Sequence, residues 1–127
     1  MATLGELLRQ HTDLSKDDSA HLQQLIGEWG MLADLCFADM MLYLHSHDNT
    51  WVVGAQVRPA TGQTIYRSDL VDSEANEAEA ELLSRAFASG EICEGELHKG
   101  NIFDAIHVVA IPVHGEDGPI AVLTREW

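Results

Sequence analysis

The sequence predicts an α+β fold in which a mostly antiparallel β-sheet is flanked by helices and a helix pair comes first. Three observations predict it. Apolar residues recur at spacings of three and four near the start of the chain. Two later segments read as strand, turn and strand. One helical segment separates them, so the order lacks the strict alternation of strand and helix that a parallel sheet requires.

The first helix is predicted over about Leu4 to His11. Thr3 and Glu6 stand just before and inside it with the spacing of a capping box. In that motif the hydroxyl and the carboxylate each bind a backbone N–H group that the helix itself leaves unpaired. The pattern therefore indicates where the helix begins.

The second helix is predicted to begin at Ser15, which is followed by acidic residues that suit the positive end of a helix dipole. An apolar stripe then continues to Cys36, and we expect one helix to reach that residue. The stripe consists of Leu22, Leu25, Ile26, Trp29, Leu32, Ala33 and Cys36.

The first hairpin is predicted over residues 38–58. Residues 38–45 are apolar at nearly every position, as in a strand that is covered on both faces. A polar turn over residues 46–50 leads to a second strand over residues 51–58, which Pro59 ends because proline cannot donate to a sheet ladder. These features predict two adjacent antiparallel strands.

A third helix is predicted over Glu77 to Ser89, after a turn-rich loop and a short edge strand at Ile65 to Arg67. Gly90 stands where a left-handed C-cap is needed. A weaker strand around Ile92 to Leu97 follows the helix.

The most strongly β-patterned run of the chain is Ala105 to Val113. The turn Gly115 to Gly118 joins it to a closing strand over Ile120 to Arg125, which predicts a second hairpin. The plan is that of the PAS and GAF sensory folds. We expect one GAF-like domain over residues 1–127, with the helices in residues 1–36 and the sheet and helix core in residues 37–127.

The composition limits the function classes. The chain is 46% hydrophobic and 22% charged, with a formal net charge of −14, which repels nucleic acid phosphates and anionic membrane surfaces. We therefore expect neither as a direct partner. No apolar run approaches the roughly 20 residues of a membrane span and no signal peptide is present, which predicts a cytoplasmic protein.

Three segments carry a resemblance to a known family. Residues 28–43, 58–64 and 120–126 resemble, in the same order, the N-terminal GAF-like domain of cytosolic, mostly actinobacterial two-component sensor histidine kinases. The resemblance implies a sensory domain cut from a longer chain, with PAS, phosphoacceptor and kinase domains downstream. It also implies a response regulator with an RNA-binding antiterminator domain as the usual target. This chain itself is then not an enzyme, and no catalytic motif is found in it.

A candidate ligand pocket is predicted from polar or aromatic residues on otherwise apolar strands and in the adjoining loop. Such a pocket needs a few oriented polar groups in an apolar site. Alternatively, the polar strand residues face solvent and the loop residue only shapes a turn. The candidates are Tyr43, Gln56, Arg58, Thr61 and His107. The ligand is a small molecule of unknown identity, and no cofactor is predicted.

Two other functions remain open. The apolar helix pair from Leu4 to Cys36 predicts a homodimer, which would make the domain a ligand-free dimerisation scaffold. His45 and His47 supply metal-ligand types and leave a metal sensor as an alternative, but no third and fourth ligand is recognised, so no metal-site residues are assigned. Cys36 and Cys93 are expected to be reduced and partly buried thiols, with redox sensing as the alternative.

Overall fold

The computed structural model describes residues 3–29, 38–58, 69–98 and 105–127. In that part of the chain no helix is long and apolar enough to cross a membrane. The elements, in chain order, are α1 (Leu4–His11), α2 (Lys16–Gly27), β1 (Asp39–His45), β2 (Trp51–Val57), α3 (Glu77–Ser89), β3 (Cys93–Leu97), β4 (Ile106–Gly115) and β5 (Gly118–Glu126).

The five strands form one sheet in the order β2-β1-β5-β4-β3, and every neighbouring pair is antiparallel. The predicted antiparallel sheet and both predicted hairpins are therefore confirmed. The second hairpin turns tightly, since Gly115 pairs with Gly118. The edge strand predicted at residues 65–67 lies outside the described residues.

Helices cover both faces of the sheet, as the apolar β1 run predicts. On one face α1 and α2 form a core with alternate residues of β1; we call it the α1–α2 core. On the other face α3 packs on the remaining residues; we call it the α3 core. The α1–α2 core includes Leu7, Leu8, Leu22, Trp29, Met40, Leu42 and Leu44. The α3 core includes Met41, Tyr43, Trp51, Val53, Leu82, Leu83 and Ala86.

A β-bulge interrupts the first hairpin. Leu42 pairs with Ala55 but Tyr43 pairs with Val53, so Gly54 is an extra residue in β2. A Cβ atom on Gly54 would lie 2.8 Å from Leu44 Cδ1, which explains why glycine occupies the bulge. Beyond the bulge, side chains of β2 exchange faces, and Gln56 therefore lies on the α3 side.

The helix starts follow the sequence signals. Thr3 and Ser15 cap α1 and α2, and each hydroxyl accepts a hydrogen bond from a backbone N–H group three residues later. The helix predicted to run unbroken to Cys36 is wrong, because α2 ends at Gly27 with Glu28 as its C-cap. Glycine is a poor helix former, and the cap N–H turns back to Leu25 and Ile26. Residues 30–37 lie outside the described part.

The apolar residues of the helix pair pack within the chain. Leu7, Leu8 and Leu22 are buried against the sheet, and Leu25 and Ile26 pack at the margin of the same core. These side chains were the basis for predicting a dimer through the helices. Because the sheet already covers Leu7, Leu8 and Leu22, these three side chains are not available to a second subunit, whereas Leu25 and Ile26 are only partly buried.

Two glycine substitutions should change stability in opposite directions. Gly90 caps α3 at φ 69°, and a Cβ atom there would lie 3.3 Å from the His114 ring, so Gly90→Ala should lower the free energy of unfolding by about 1–2 kcal/mol. Gly27 is helical and no described atom lies within 4 Å of an added Cβ. Gly27→Ala should therefore raise the free energy of unfolding by up to about 1 kcal/mol. Urea unfolding of both variants checks the signs; stabilisation by Gly90→Ala would contradict the cap geometry.

Candidate functional site

A cavity of about 380 Å³ opens at the end of β2. Its lining among the described residues consists of Gln56, Arg58 and Asp69. The volume falls within the range of small-ligand sites. Two of the three lining residues, Gln56 and Arg58, are members of the pocket predicted from the sequence, and the cavity lies on the α3 side of the sheet because of the bulge at Gly54.

The Gln56 side chain is held in one orientation. Its Oε1 accepts a hydrogen bond from the Leu70 backbone N–H group at 2.7 Å, which fixes which end of the amide is the oxygen. The Nε2 group therefore points the other way. It is buried and has no hydrogen-bond partner among the described residues. An unsatisfied buried donor is costly, and each such group in a native protein calls for an explanation.

Arg58 and Asp69 place opposite charges at the mouth of the cavity. Arg58 is exposed and forms no hydrogen bond or ion pair with another described residue. Asp69 Oδ1 accepts a hydrogen bond from the Val71 backbone N–H group at 2.9 Å, which orients its carboxylate. The site thus combines a cation, an amide donor and an oriented carboxylate.

A row of neighbouring residues crosses the sheet beside the cavity and leads to buried polar side chains. Gln56 pairs with Met41, and Met41 pairs with Thr124, so the row crosses from β2 through β1 to β5. The Thr124 hydroxyl donates to Glu126 Oε2, and Asp39 is the cross-strand partner of Glu126. All three of these polar residues are buried. The cavity is therefore linked to the end of the closing strand by adjacent sheet positions.

Tyr43 lies on the same sheet face but in packed surroundings. Its hydroxyl donates to Glu79 Oε2 at 2.9 Å and lies 3.6 Å from the sulfur of Met41. The crevice between Tyr43 and helix α3 has no room for a water molecule. Tyr43 therefore fixes α3 on the sheet rather than lining the open cavity.

The structure does not bring His107 to this cavity. Its neighbours Ile106 and Val108 belong to the α3 core, so His107 faces the opposite side of the sheet. There its Nε2 lies 3.3 Å from Glu94 Oε2, and its ring centroid lies 4.5 Å from that of Trp127. The fifth predicted pocket residue, Thr61, lies outside the described residues.

His45 and His47 do not share a metal site. The His45 ring stacks on Trp51 at 4.6 Å and its Nε2 contacts Asn49 Oδ1 at 3.0 Å. His47 instead lies with its Nδ1 3.5 Å from Asp13 Oδ2, beside the loop between α1 and α2. Across the described ranges, no group of three or more His, Cys, Asp or Glu residues could hold a metal ion.

The Asp48 carboxyl lies in the β1–β2 turn and has a pKa below its ordinary value. The Thr50 hydroxyl donates to its Oδ1 at 2.7 Å, which lowers the pKa of the Asp48 carboxyl below its ordinary value. Because the pKa is depressed on folding, the stabilising contribution is present above the unfolded pKa and is lost as the pH falls through the folded one. Asp48 thus stabilises the β1–β2 turn.

Cys93 is a free thiol of intermediate burial at the margin of the α3 core. Its Sγ lies 3.7 Å from the backbone oxygen of Glu91. This agrees with the partly buried thiol expected from the sequence. The second cysteine, Cys36, lies outside the described residues.

Two residues of the site region were not found from the sequence. Asp69 lines the cavity although it lies thirteen residues after Gln56 in the sequence, and no local pattern indicates it. Glu79 receives the Tyr43 hydroxyl and also completes a capping box with Asn76. The Asn-x-x-Glu spacing before an apolar run was available as a signal for the cap, but not for the contact with Tyr43.

Comparison with known proteins gives consistent matches. Residues 4–127 match the domain family described as "Histidine kinase PdtaS, GAF domain". Sensor histidine kinase PdtaS of Mycolicibacterium smegmatis is 36% identical over 129 residues, and that of Mycobacterium tuberculosis is 38% identical over 128. These alignments cover 99% and 98% of this chain but 26% of each relative. A solved structure titled "Sensor region of a sensor histidine kinase" superimposes with a TM-score of 0.77 at 34% identity, covering 98% of this chain and 42% of that one.

Proposed function

Because this chain belongs to the GAF-domain family of the histidine kinase PdtaS, we propose that it is a sensory input domain that binds a small polar metabolite between Gln56, Arg58 and Asp69. The bound metabolite biases the packing of the sheet, and β5 passes that bias to PAS and kinase domains downstream. We assign catalysis to those domains; this chain spans 26% of the length of each relative.

The observation that carries the proposal is the buried Nε2 of Gln56, which has no partner in the described part of the chain and lies beside a cavity of suitable size. A ligand oxygen would satisfy this donor, and Arg58 would supply charge to the same group. Asp69 accepts hydrogen bonds and would receive a donor from the ligand. The lining therefore favours a metabolite that carries both a carboxylate or carbonyl group and an amine or hydroxyl group, as a free amino acid does.

We propose that the conformational change passes across the sheet through paired residues of neighbouring strands. Gln56, Met41 and Thr124 occupy neighbouring positions in three adjacent strands. Because β1 is packed on both faces, a displacement of the Gln56 backbone is passed through its β1 partner Met41 to β5. Thr124 and Glu126 near the end of β5 receive it.

A thermal-shift screen tests the proposal. The probes are the amino acids, with dicarboxylates as acceptor-only compounds and diamines as donor-only compounds. Free ligand at about a hundredfold excess over its Kd stabilises the folded state by about 2.7 kcal/mol. We expect a clear rise in Tm with at least one amino acid and a smaller rise or none with the single-function compounds.

If no member of the panel raises the Tm, the ligand proposal is wrong and the ligand-free scaffold takes its place. If only dicarboxylates do so, the role given to Asp69 is wrong. The scaffold predicts a dimer of the isolated chain, which light scattering measures independently of any ligand.

A further inference from the structure

The two edges of the sheet differ in how they are covered. At the β2 edge, residues 72–75 form a bridge: Val53 N donates to Ser73 O, Asp72 N to Val53 O and Ala75 N to Trp51 O, all at 2.7–2.9 Å. The opposite edge strand, β3, pairs only with β4 among the described residues. Alternate backbone groups of β3 therefore point outward with no strand of the described ranges beside them, which is the usual template for an added strand.

The side chains along β3 separate into two faces. Cys93, Gly95 and Leu97 turn toward α3, and a Cβ atom on Gly95 would lie 3.8 Å from Leu82. The other face carries Glu94 and Glu96, and Ile92 stands directly before the strand; all three are exposed, Ile92 at 60%. An incoming strand would thus meet one apolar and two acidic side chains at alternate positions.

We propose that the β3 edge binds an extended basic segment of another protein by strand addition, independently of the ligand proposed above. In an antiparallel arrangement, a segment with the pattern basic-x-basic-x-apolar places its first basic residue opposite Glu96, the second opposite Glu94 and the apolar residue opposite Ile92. Main-chain hydrogen bonds supply the affinity and the alternate side chains supply the specificity. The net charge of −14 favours the approach of a basic partner.

A second copy of this chain does not fit the same edge. Antiparallel pairing of two β3 strands about Gly95 would place Glu94 of one copy opposite Glu96 of the other, twice. Like charges directly opposite each other destabilise a strand pair. The two glutamates therefore select against self-association at this edge while they select for a basic partner.

Fluorescence anisotropy with labelled peptides tests the inference. The probe is the peptide Thr-Lys-Thr-Lys-Thr-Val-Thr, blocked at both ends, and its comparison peptide carries Glu in place of both Lys. We expect the lysine peptide to bind and the glutamate peptide not to bind. The double variant E94K/E96K should weaken binding of the lysine peptide by about tenfold or more and should now bind the glutamate peptide.

A matched control and a modified peptide separate strand addition from general attraction. The variant E116K/D117K makes the same charge change at exposed positions of the β4–β5 turn and should leave the Kd within about twofold, because those positions are remote from the edge. A lysine peptide N-methylated at alternate residues loses its inward N–H groups and should not bind. Equal binding by the methylated peptide, equal weakening by the control variant, or no binding of the lysine peptide would each overturn the inference.

Discussion

Replacing Leu42 with alanine is expected to lower the free energy of unfolding by about 2–5 kcal/mol. Leu42 is 0% exposed in β1, the strand between β2 and β5, and it pairs with Ala55 on one side and Leu123 on the other. Its side chain lies in the α1–α2 core, where the loss of three carbon atoms leaves a cavity that the surrounding strands and helices cannot close. Urea unfolding measures the effect as a lower midpoint with an unchanged m-value.

Ile92→Ala is the matched control, since it removes the same number of carbon atoms. Ile92 is 60% exposed, and its truncation should change the free energy of unfolding by no more than about 0.5 kcal/mol. A third variant, Leu42→Met, nearly conserves volume and should cost less than about 1.5 kcal/mol. Similar losses of unfolding free energy for Leu42→Ala and Ile92→Ala would show that β1 is not packed on both faces.

Gln56→Glu is expected to raise the Kd of the stabilising amino acid by about tenfold or more. The substitution keeps an oxygen for the Leu70 N–H group but removes the Nε2 donor and puts a carboxylate beside the ligand oxygen. Isothermal titration calorimetry of the wild-type and variant chains with the amino acid selected by the thermal-shift screen measures the change.

Gln24→Glu is the control for this variant because it makes the same chemical and charge change on the exposed face of α2. Its Kd should equal that of the wild-type chain. Arg58→Lys keeps the charge but loses the planar donor pair, and it should weaken binding less than Gln56→Glu does. Unchanged affinity in Gln56→Glu would remove Gln56 from the site while leaving ligand binding elsewhere possible.

Most elements of the fold could be predicted because their signals are local. Thr3 and Ser15 cap helices, Gly90 ends a helix, and Gly115 and Gly118 enclose a turn. Each of these boundaries is determined by a few adjacent residues. The end of α2 was missed because the apolar stripe continues past Gly27. A stripe shows which side chains share a face, but it does not show that the backbone between them is unbroken.

The site could be predicted only in part, and the bulge at Gly54 is the physical reason. With strict alternation from Trp51, Gln56 would lie on the face opposite Val53; the extra residue brings it to the same face. His107 was predicted to line the pocket, but the face of the sheet that it occupies depends on the register of β4 with its neighbouring strands. The sequence of β4 alone does not contain that register. Asp69 was missed for a related reason, since it is distant in sequence from Gln56 and belongs to no predicted element.

The side-chain amide resonances of Gln56 provide the most direct test of the proposed sensory role. In ¹⁵N–¹H spectra of the chain titrated with the stabilising amino acid, the Nε2 protons of Gln56 should shift with the Kd measured by calorimetry, since they gain a hydrogen bond. The exposed Gln24 pair should not move. Saturation by the amino acid with the Gln56 resonances unmoved would contradict the assignment of this cavity as the sensory site.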